Sequence, residues 1–567
     1  MENFYKDNDR LKHQLSHPLL REIVALRENN YAESAEYACA PTDFEDAVEC
    51  YDKAMEVFGE ICAETIAVNA PKVDKQGPSC ENGRVTYADG TQENHRVLTE
   101  ASFYGLSLPR KYDGLNFPTV LSIMASEMVA RADAGFQNIW SLQDCAETIN
   151  EFGDEELKAA MLPRISKGAT CSMDLTEPDA GSDLQSAMLK ATWDEANNTW
   201  RLNGVKRFIT NGDADIKLVL ARSEEGTTDA RGLSLYVYDK QWGGVTVRRI
   251  EHKLGIKGSP TCELVFDNAP AKLIGNRRMG LIKYVMSLMN GARLGIGAQS
   301  VGISEAALQA AKRYASERKQ FGKAIIELAP VYEMIGVMQA KLDAARALLY
   351  ETSRFVDFSK AYTEISKARS LEPEERQKYK AVQKNADMLT PILKLMSSEY
   401  SNQITYDAIQ VFGGSGVVQD FPVERYYRDA RVTSIYEGTS QLQVIAAVKY
   451  VSNGELLAKI REYAAGITEP ETAERFNKLA EQFEEACSIC AAAGGELFSF
   501  HSRRLVEMGG HIVMSALLYQ DKDFDARAAE SFAMYLKMTE AWNIDRLTYI
   551  KSFGETDLAA LKEVACK

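Results

Sequence analysis

Glu437 is a lone carboxylate in the run Ile435-Tyr436-Glu437-Gly438-Thr439-Ser440, set between a bulky aromatic and a glycine that lets another backbone come close. A carboxylate beside aromatic bulk is partly desolvated. Its pKa then rises toward working pH, and it becomes a better acceptor of a proton from carbon. The plainer reading of the same residues is a turn entering a helix, with Gly438 and Thr439 opening the amphipathic stretch from Ser440 to Tyr450. These residues alone leave both readings open.

Other motifs lie upstream, and independent motifs in a fixed order carry more weight than any one of them. They are Leu175-Thr176-Glu177-Pro178-Asp179-Ala180-Gly181-Ser182-Asp183, Asn203-Gly204-Val205-Lys206-Arg207-Phe208-Ile209-Thr210-Asn211-Gly212, Ala315-Ser316-Glu317-Arg318-Lys319-Gln320-Phe321-Gly322 and Gln410-Val411-Phe412-Gly413-Gly414. With the Glu437 run, the chain from about Leu98 to Val448 resembles the acyl-CoA dehydrogenase family, flavoenzymes that desaturate acyl thioesters.

The resemblance implies FAD as cofactor, an acyl-CoA substrate and Glu437 as the base that removes the α-proton. The β-hydrogen then leaves as hydride to flavin N5, and the product is a trans-2-enoyl-CoA. Some relatives carry the base one residue before the arginine that matches Arg293. Here that position is Ala292, which cannot accept a proton.

By the same resemblance Met173, Leu175, Thr176, Gly181 and Ser182 meet the flavin, and Ser182 also meets the CoA chain. Phe208 takes the place of a tryptophan beside the ring and keeps an aromatic face without the indole donor, while Thr210 approaches N5. Arg318, Gln320 and Phe321 reach the pyrophosphate and adenosine, Arg having the planar fork that suits phosphate. Gln410, Gly413 and Gly414 reach FAD from a neighbouring subunit, implying a homodimer or higher homo-oligomer. Thr439 and Gln441 meet FAD; Arg293, Tyr436 and Gly438 contact the substrate. Taken singly, each has a plain structural reading: a turn for Thr176 to Ser182, a core strand for Phe208 and Ile209, a solvated helix charge for Arg318.

Gly413-Gly414-Ser415-Gly416 lacks the preceding strand, the spacing and the downstream acid of a dinucleotide loop, so NAD is not expected. The formal charge of −15 disfavours nucleic acid and anionic membranes as partners. No apolar run reaches the span of a bilayer, and the start has neither a signal-peptide core nor a transit-peptide composition, which points to a cytoplasmic protein without integral membrane association. The ten cysteines and six histidines are dispersed without metal-ligand spacing; Cys487 and Cys490 read as reduced thiols on a helix.

The elements that must position these residues give an α+β fold, mainly α. Four domains are expected: an N-terminal helical domain over 1–168, a middle antiparallel β domain over 169–285, a helical bundle of four-helix type carrying the base over 286–450, and an extra C-terminal helical domain over 451–567. Helical periodicity marks Phe44 to Ile66, Val120 to Arg131 and Ala159 to Ile165. Met1 to Ala40 is helix-compatible, and Pro71 to Asn94 reads as an exposed loop. Short β-rich runs at Met188 to Trp193, Lys217 to Ala221, Leu233 to Tyr238, Val245 to Val247 and Thr261 to Phe266 make the β domain, with Asp267-Asn268-Ala269-Pro270 expected to end the last strand. The small-residue run Gly295 to Gly302 suits close helix packing, and the charged stretch between Phe355 and Asp387 reads as a solvated helical insertion.

Three alternatives share the fold. An acyl-CoA oxidase differs in passing electrons to oxygen, whereas a dehydrogenase of this family passes them to an electron-transferring flavoprotein. A DNA-associated protective flavoprotein also carries a C-terminal helical region, but here that region has more acidic than basic residues. The extension also resembles that of very-long-chain acyl-CoA dehydrogenases, where it implies a dimer. Trp140 is a candidate for shortening the acyl cleft, with helix core as its plain reading.

Overall fold

A computed structural model describes residues 2–523 and 526–566. The chain divides into two compact units, Met1–Ala306 with Lys360–Arg369 and Ala307–Ser359 with Ser370–Lys567.

The first unit opens with α1 (Asp9–Ser16) and α2 (Leu20–Arg27), which bury Leu11, Leu15, Leu20, Ile23 and Val24. This segment is clamped down by a buried fork: Arg110 donates to both carboxylate oxygens of Glu28, at 2.7 and 2.9 Å. α3 (Phe44–Ile61), capped by the Asp43 carboxylate, runs through a π-turn over 62–66 into α4 (Ala67–Gln76). The expected loop from Pro71 to Asn94 is therefore corrected. Pro71 lies inside α4, where the π-turn has already broken the regular ladder. Beyond it, β1 (Ser79–Glu81) and β2 (Arg84–Thr86) form a hairpin, and α5 (Asp89–Glu100) follows. The hairpin turns on Asn82 and Gly83, both at positive φ (51° and 75°), the pair such turns prefer.

Next come α6 (Thr119–Ala132), α7 (Ala134–Trp140), α8 (Cys145–Phe152) and α9 (Glu155–Ser166). Trp140 is core: its indole donates to the Phe103 carbonyl at 3.1 Å and packs on Phe58.

The sheet that follows comprises β3 (Cys171–Asp174), β4 (Lys190–Asp194), β5 (Thr199–Thr210), β6 (Ile216–Arg222), β7 (Leu233–Asp239), β8 (Val245–Ile250) and β9 (Thr261–Leu273). The order is β3-β6-β4-β5-β9-β7, with β8 also on β9, and β6 pairs β7 as well, so the path closes on itself. Most pairings are antiparallel. β3 joins β6 in parallel, as does Lys190 of β4.

β6 and β7 are buried along their whole length because both faces are covered. Leu218, Leu220, Leu235 and Val237 face a core shared with Ile149, Leu162 and Ile165 of α8 and α9. The alternate residues Val219, Ala221, Tyr236 and Tyr238 face the sheet's other core, with Leu202, Leu264 and Phe266. Strands buried on both sides read as unbroken apolar runs.

Asp267 to Pro270 does not end β9. Asn268 takes φ 55° opposite a register shift in β5, and this bulge lets the strand continue through Pro270, paired with Arg201, to Leu273.

α10 starts at Met286 after a π-turn over 280–285 and runs to Glu317, earlier than the small-residue run suggests. Gly302 is the glycine its packing requires: a Cβ there would lie 2.4 Å from the Glu127 carbonyl of α6. Gly295 meets nothing within 4 Å.

In the second unit a two-residue hairpin, β10 (Lys319–Gln320) and β11 (Lys323–Ala324), precedes α11 (Ala329–Ala368). α12 (Pro373–Phe412) is equally long. The charged stretch forms the far ends of this helix pair, exposed around the turn between them and buried again at Val382 and Ala386.

α13 (Val423–Thr433) and α14 (Ser440–Ser452) flank the Glu437 run. Among the described residues the extension is a succession of helices: α15 (Glu455–Ala465), α16 (Pro470–Ala493), α17 (Gly495–Asp521), α18 (Ala526–Ser552) and α19 (Glu555–Cys566). The apolar segment Ile512 to Tyr519 is buried within it. Cys490 is buried on α16 and Cys487 half-buried, both free thiols. Among the described residues no helix is long and apolar enough to cross a membrane.

α17 packs against α12, where Gly510 sits 3.2 Å, by its would-be Cβ, from Ile392. A polar chain follows the same contact: Arg503 lies 3.3 Å from Glu399, which accepts from Ser440 Oγ at 2.5 Å.

Candidate active site

The expected site residues fall into two groups, one in each unit. In the first unit β3 delivers Met173, half-buried against the helix-facing core, and then Leu175, whose side chain belongs to that core. Thr176 follows, its carbonyl accepting from the Arg207 amide at 2.9 Å, and this bond ties the turn to β5. Glu177 and Ala180 exchange backbone bonds across the turn, leaving Gly181 and Ser182 exposed on its rim.

The turn is braced from beneath. The Glu177 carboxylate points inward and accepts from the amides of Met188 (2.7 Å) and Leu189 (2.9 Å) and from Lys206 Nζ (2.8 Å). Lys206, fully buried, also donates to the Leu175 carbonyl. Burial pulls its pKa down, against the raising effect of Glu177. Beside them Asp174 is raised by burial, countered by Lys217.

Phe208 sits in a bulge. Lys206 pairs with Leu264 and Ile209 with Cys262, so two residues of β5 oppose one of β9. Phe208 takes φ 60° and turns outward, 51% exposed, with the Arg207 guanidinium 4.6 Å from its ring centroid. Ile209 points into the core. The core-strand reading therefore holds for Ile209 and not for Phe208. Thr210 follows, half-buried and paired with Thr261. Arg293 lies apart on α10, buried, with Nη1 donating to Asn290 among its contacts.

In the second unit Tyr436, Glu437, Gly438, Thr439 and Gln441 share the turn into α14, and Thr439 is its N-cap. The helix-entry reading therefore holds for the backbone of this run. Glu437 is half-buried at φ 53° and Gly438 is at φ 89°. A left-handed glutamate costs about 1–2 kcal/mol, so the surroundings must hold it. Gln443 Nε2 donates to the Glu437 carbonyl (3.3 Å) and the Gly438 carbonyl (2.9 Å), and Lys394 Nζ donates to the latter at 2.7 Å.

Gln410, Gly413 and Gly414 stand exposed at the end of α12. Gly413 needs its positive φ of 59°, and a Cβ on Gly416 would strike the Ile409 carbonyl at 2.6 Å, but Gly414 meets nothing within 4 Å. Tyr314 stacks on Phe412 at 4.1 Å and links this turn to the segment of Arg318, Gln320 and Phe321. Phe321 is 91% exposed at the tip of the β10–β11 hairpin.

Lys206, Glu177, Lys394 and Gln443 were not singled out from the sequence. The legible signal was a lone lysine in the apolar run Leu389 to Met396, since lysine is almost never fully buried without partners.

These observations fit a flavin. An aromatic side chain is pushed out of its strand beside a turn with exposed hydroxyl and backbone groups, and the open glycine backbone of Gly413 and Gly414 leaves room for close approach by a ligand.

The chain belongs to the acyl-CoA dehydrogenase family. The family's N-terminal domain matches residues 55–169, its middle domain 172–269, its C-terminal domain 282–450, and a further domain described as acyl-CoA dehydrogenase C terminal matches 452–558. The likeness is thus wider than the quoted motifs and takes in most of the extension. The protein is an oxidoreductase of the acyl-CoA dehydrogenase class with FAD as cofactor.

Among its relatives is the 3-methylmercaptopropionyl-CoA dehydrogenase of Ruegeria pomeroyi, 33% identical over 416 residues that cover 69% of this chain and 68% of that one. A probable acyl-CoA dehydrogenase of Mycobacterium tuberculosis is 33% identical over 70% of this chain and 93% of its own. The solved butyryl-CoA dehydrogenase of Megasphaera elsdenii superimposes with a TM-score of 0.60 at 29% identity, covering 72% of this chain and 98% of that one. An acyl-CoA dehydrogenase of Bacillus anthracis, solved with FAD, shares the fold over 90% of this chain and 88% of that one, with a TM-score of 0.71 and 23% identity.

Proposed function

We propose that this protein oxidises an acyl-CoA thioester between its α and β carbons to the trans-2-enoyl-CoA, with Glu437 taking the α-proton. The observation that carries this reading is the backbone of Glu437, a non-glycine residue held in the left-handed region by side chains from two helices. Strain of that kind persists where a side chain must be aimed. Bound FAD supplies the acceptor for the β-hydrogen, which leaves as hydride.

The chain's own residues do the rest. The Glu437 amide donates to the thioester oxygen, which acidifies the α-carbon, and Tyr436 and Gly438 flank the thioester. Ser182 and Arg293 hold the CoA portion. Met173, Leu175, Thr176, Gly181, Ser182, Phe208, Thr210, Thr439 and Gln441 line the flavin; Arg318, Gln320 and Phe321 take its pyrophosphate and adenosine. Gln410, Gly413 and Gly414 serve the FAD of a neighbouring copy, so the working form is at least a homodimer. An electron-transferring flavoprotein is the acceptor, in keeping with the family; rapid reoxidation of the reduced protein by oxygen would instead make it an oxidase.

The substrate is a linear acyl-CoA. The Ruegeria relative, matched over more than two thirds of both chains and named for a thioether substrate, supports a short thioether-bearing acyl group as the second reading.

The test is Glu437→Gln in the FAD-loaded protein, mixed anaerobically with a panel of acyl-CoA thioesters. The variant is expected to bind acyl-CoA but not to bleach the flavin absorbance. Ordinary bleaching overturns the assignment.

A further inference from the structure

We infer that Lys394 is a positioning residue for the base, acting through the backbone of the Glu437 turn; this rests on the reading of Glu437 given above. Lys394 projects from α12 and is 0% exposed. Its Nζ donates to the carbonyl of Gly438, the residue directly after Glu437, at 2.7 Å. Gln443 Nε2 donates to the same oxygen at 2.9 Å, so that carbonyl has two donors, one from α12 and one from α14. The Glu437 carbonyl takes a longer contact from Gln443, at 3.3 Å. The orientation of two successive peptides, and with it the direction in which the Glu437 side chain leaves the backbone, is set by these donors.

Neighbours Leu393, Leu395 and Met396 are apolar and buried, and an apolar side chain at 394 would fill the same space. Placing a lysine there desolvates a cation, a cost accepted where the cation has acceptors to satisfy. α12 is a rigid base for such a reach. Its stretch around Lys394 is pinned from the other side by the close approach of Gly510, and Ser398 Oγ bonds back to the Lys394 carbonyl at 2.6 Å. Lys394 therefore transmits the position of a packed helix to a turn whose own conformation is unfavourable.

The experiment uses the full-length, FAD-loaded protein with Lys394→Met, which fills the space without a donor, and Lys394→Gln, which keeps a neutral donor. Three quantities are read: FAD content, the Kd for S-butyl-CoA, a thioether without the acidic α-proton, and the rate of α-proton exchange of butyryl-CoA and octanoyl-CoA in D2O. Exchange reports proton removal without hydride transfer. Lys394→Met should keep its FAD and bind S-butyl-CoA within about threefold of the parent, while α-exchange and kcat fall by about 30-fold or more, because a small misplacement of a base costs rate and not binding. Lys394→Gln should recover part of the exchange.

Exchange by Lys394→Met at the parent rate overturns the inference. So does loss of FAD or S-butyl-CoA binding in both variants in proportion to exchange, which is what general loosening of the turn would give. Glu437→Gln, run alongside, separates the two ideas: exchange at the parent rate in that variant removes the base assignment itself, whatever the Lys394 variants do.

Discussion

Lys206 and Glu177 form a salt bridge of 2.8 Å under the turn that carries Thr176 and Ser182, with the lysine side chain wholly buried and the glutamate 9% exposed. The glutamate also satisfies two backbone amides, so the pair joins β5, the turn and the start of β4 in one polar knot.

Removing one partner of such a pair leaves a buried charge. Lys206→Met should therefore destabilise the protein by about 3–5 kcal/mol. The double variant with Glu177→Gln retires both charges but keeps an acceptor for only one of the two amides, which the carboxylate serves through different oxygens, so it should recover part of that loss and not all of it. Urea unfolding of the two single variants and the double variant gives the coupling directly. An unchanged midpoint for Lys206→Met would show that the bridge adds nothing.

A second prediction concerns acid. His511, buried between α17 and α18 with Nδ1 3.2 Å from Asn543 Oδ1, has its pKa pulled down to about 3 by burial and by the Arg546 cation. The unfolded chain binds this proton near pH 6.5, whereas the folded chain does not until about 3. In that window the unfolded state holds more protons, so stability contributed by the neutral imidazole is full above pH 6.5 and lost as pH falls. The loss should approach about 1.4 kcal/mol per pH unit relative to His511→Gln. Urea midpoints at pH 7.5, 6 and 5 test it, and parallel curves for the two proteins would refute it.

Local pattern accounts for what could be read from the sequence. Leu233 to Tyr238 shows its strand because it is apolar but for Ser234, and Ser440 to Tyr450 shows its helix because Thr439 caps it. Asn82-Gly83 is an equally local hairpin signal, hidden within a polar stretch that reads as loop. Pro270 misleads for a different reason, since its tolerance depends on a bulge fixed by a partner strand. The parallel pairing of β3 with β6 leaves no trace in either segment alone.

Of the candidate site, the exposed members carry recognisable motifs. Of the buried lysines behind them, Lys394 is marked only as a lone lysine in an apolar run, and Lys206 sits within a motif as one more polar residue until the packed structure shows it buried, because lysine by default faces water.

The glycines of α10 make the third prediction. Gly302→Ala would set a methyl group 2.4 Å from the Glu127 carbonyl and 2.8 Å from the Arg131 amide, both backbone atoms. It should cost about 1–3 kcal/mol through forced helix separation. Gly291→Ala meets nothing within 4 Å and should be neutral or stabilise the helix by up to about 1 kcal/mol. Thermal melts of the two variants should move in opposite directions or differ by several degrees, with Gly302→Ala the lower. Equal melting temperatures would contradict the close approach of α6.

The line from Arg503 through Glu399 to Ser440 ties the extension to the first turn of α14, directly after the Glu437 run. A shortened protein ending near Asn453 would lose Arg503, the cation beside Glu399, and uncover Ile392 and Met396 on the helix that bears Lys394. The last hundred-odd residues are thus no detachable appendage: their inner surface is the backing of α12, and cutting them away would leave that helix open to water on the side α17 now covers.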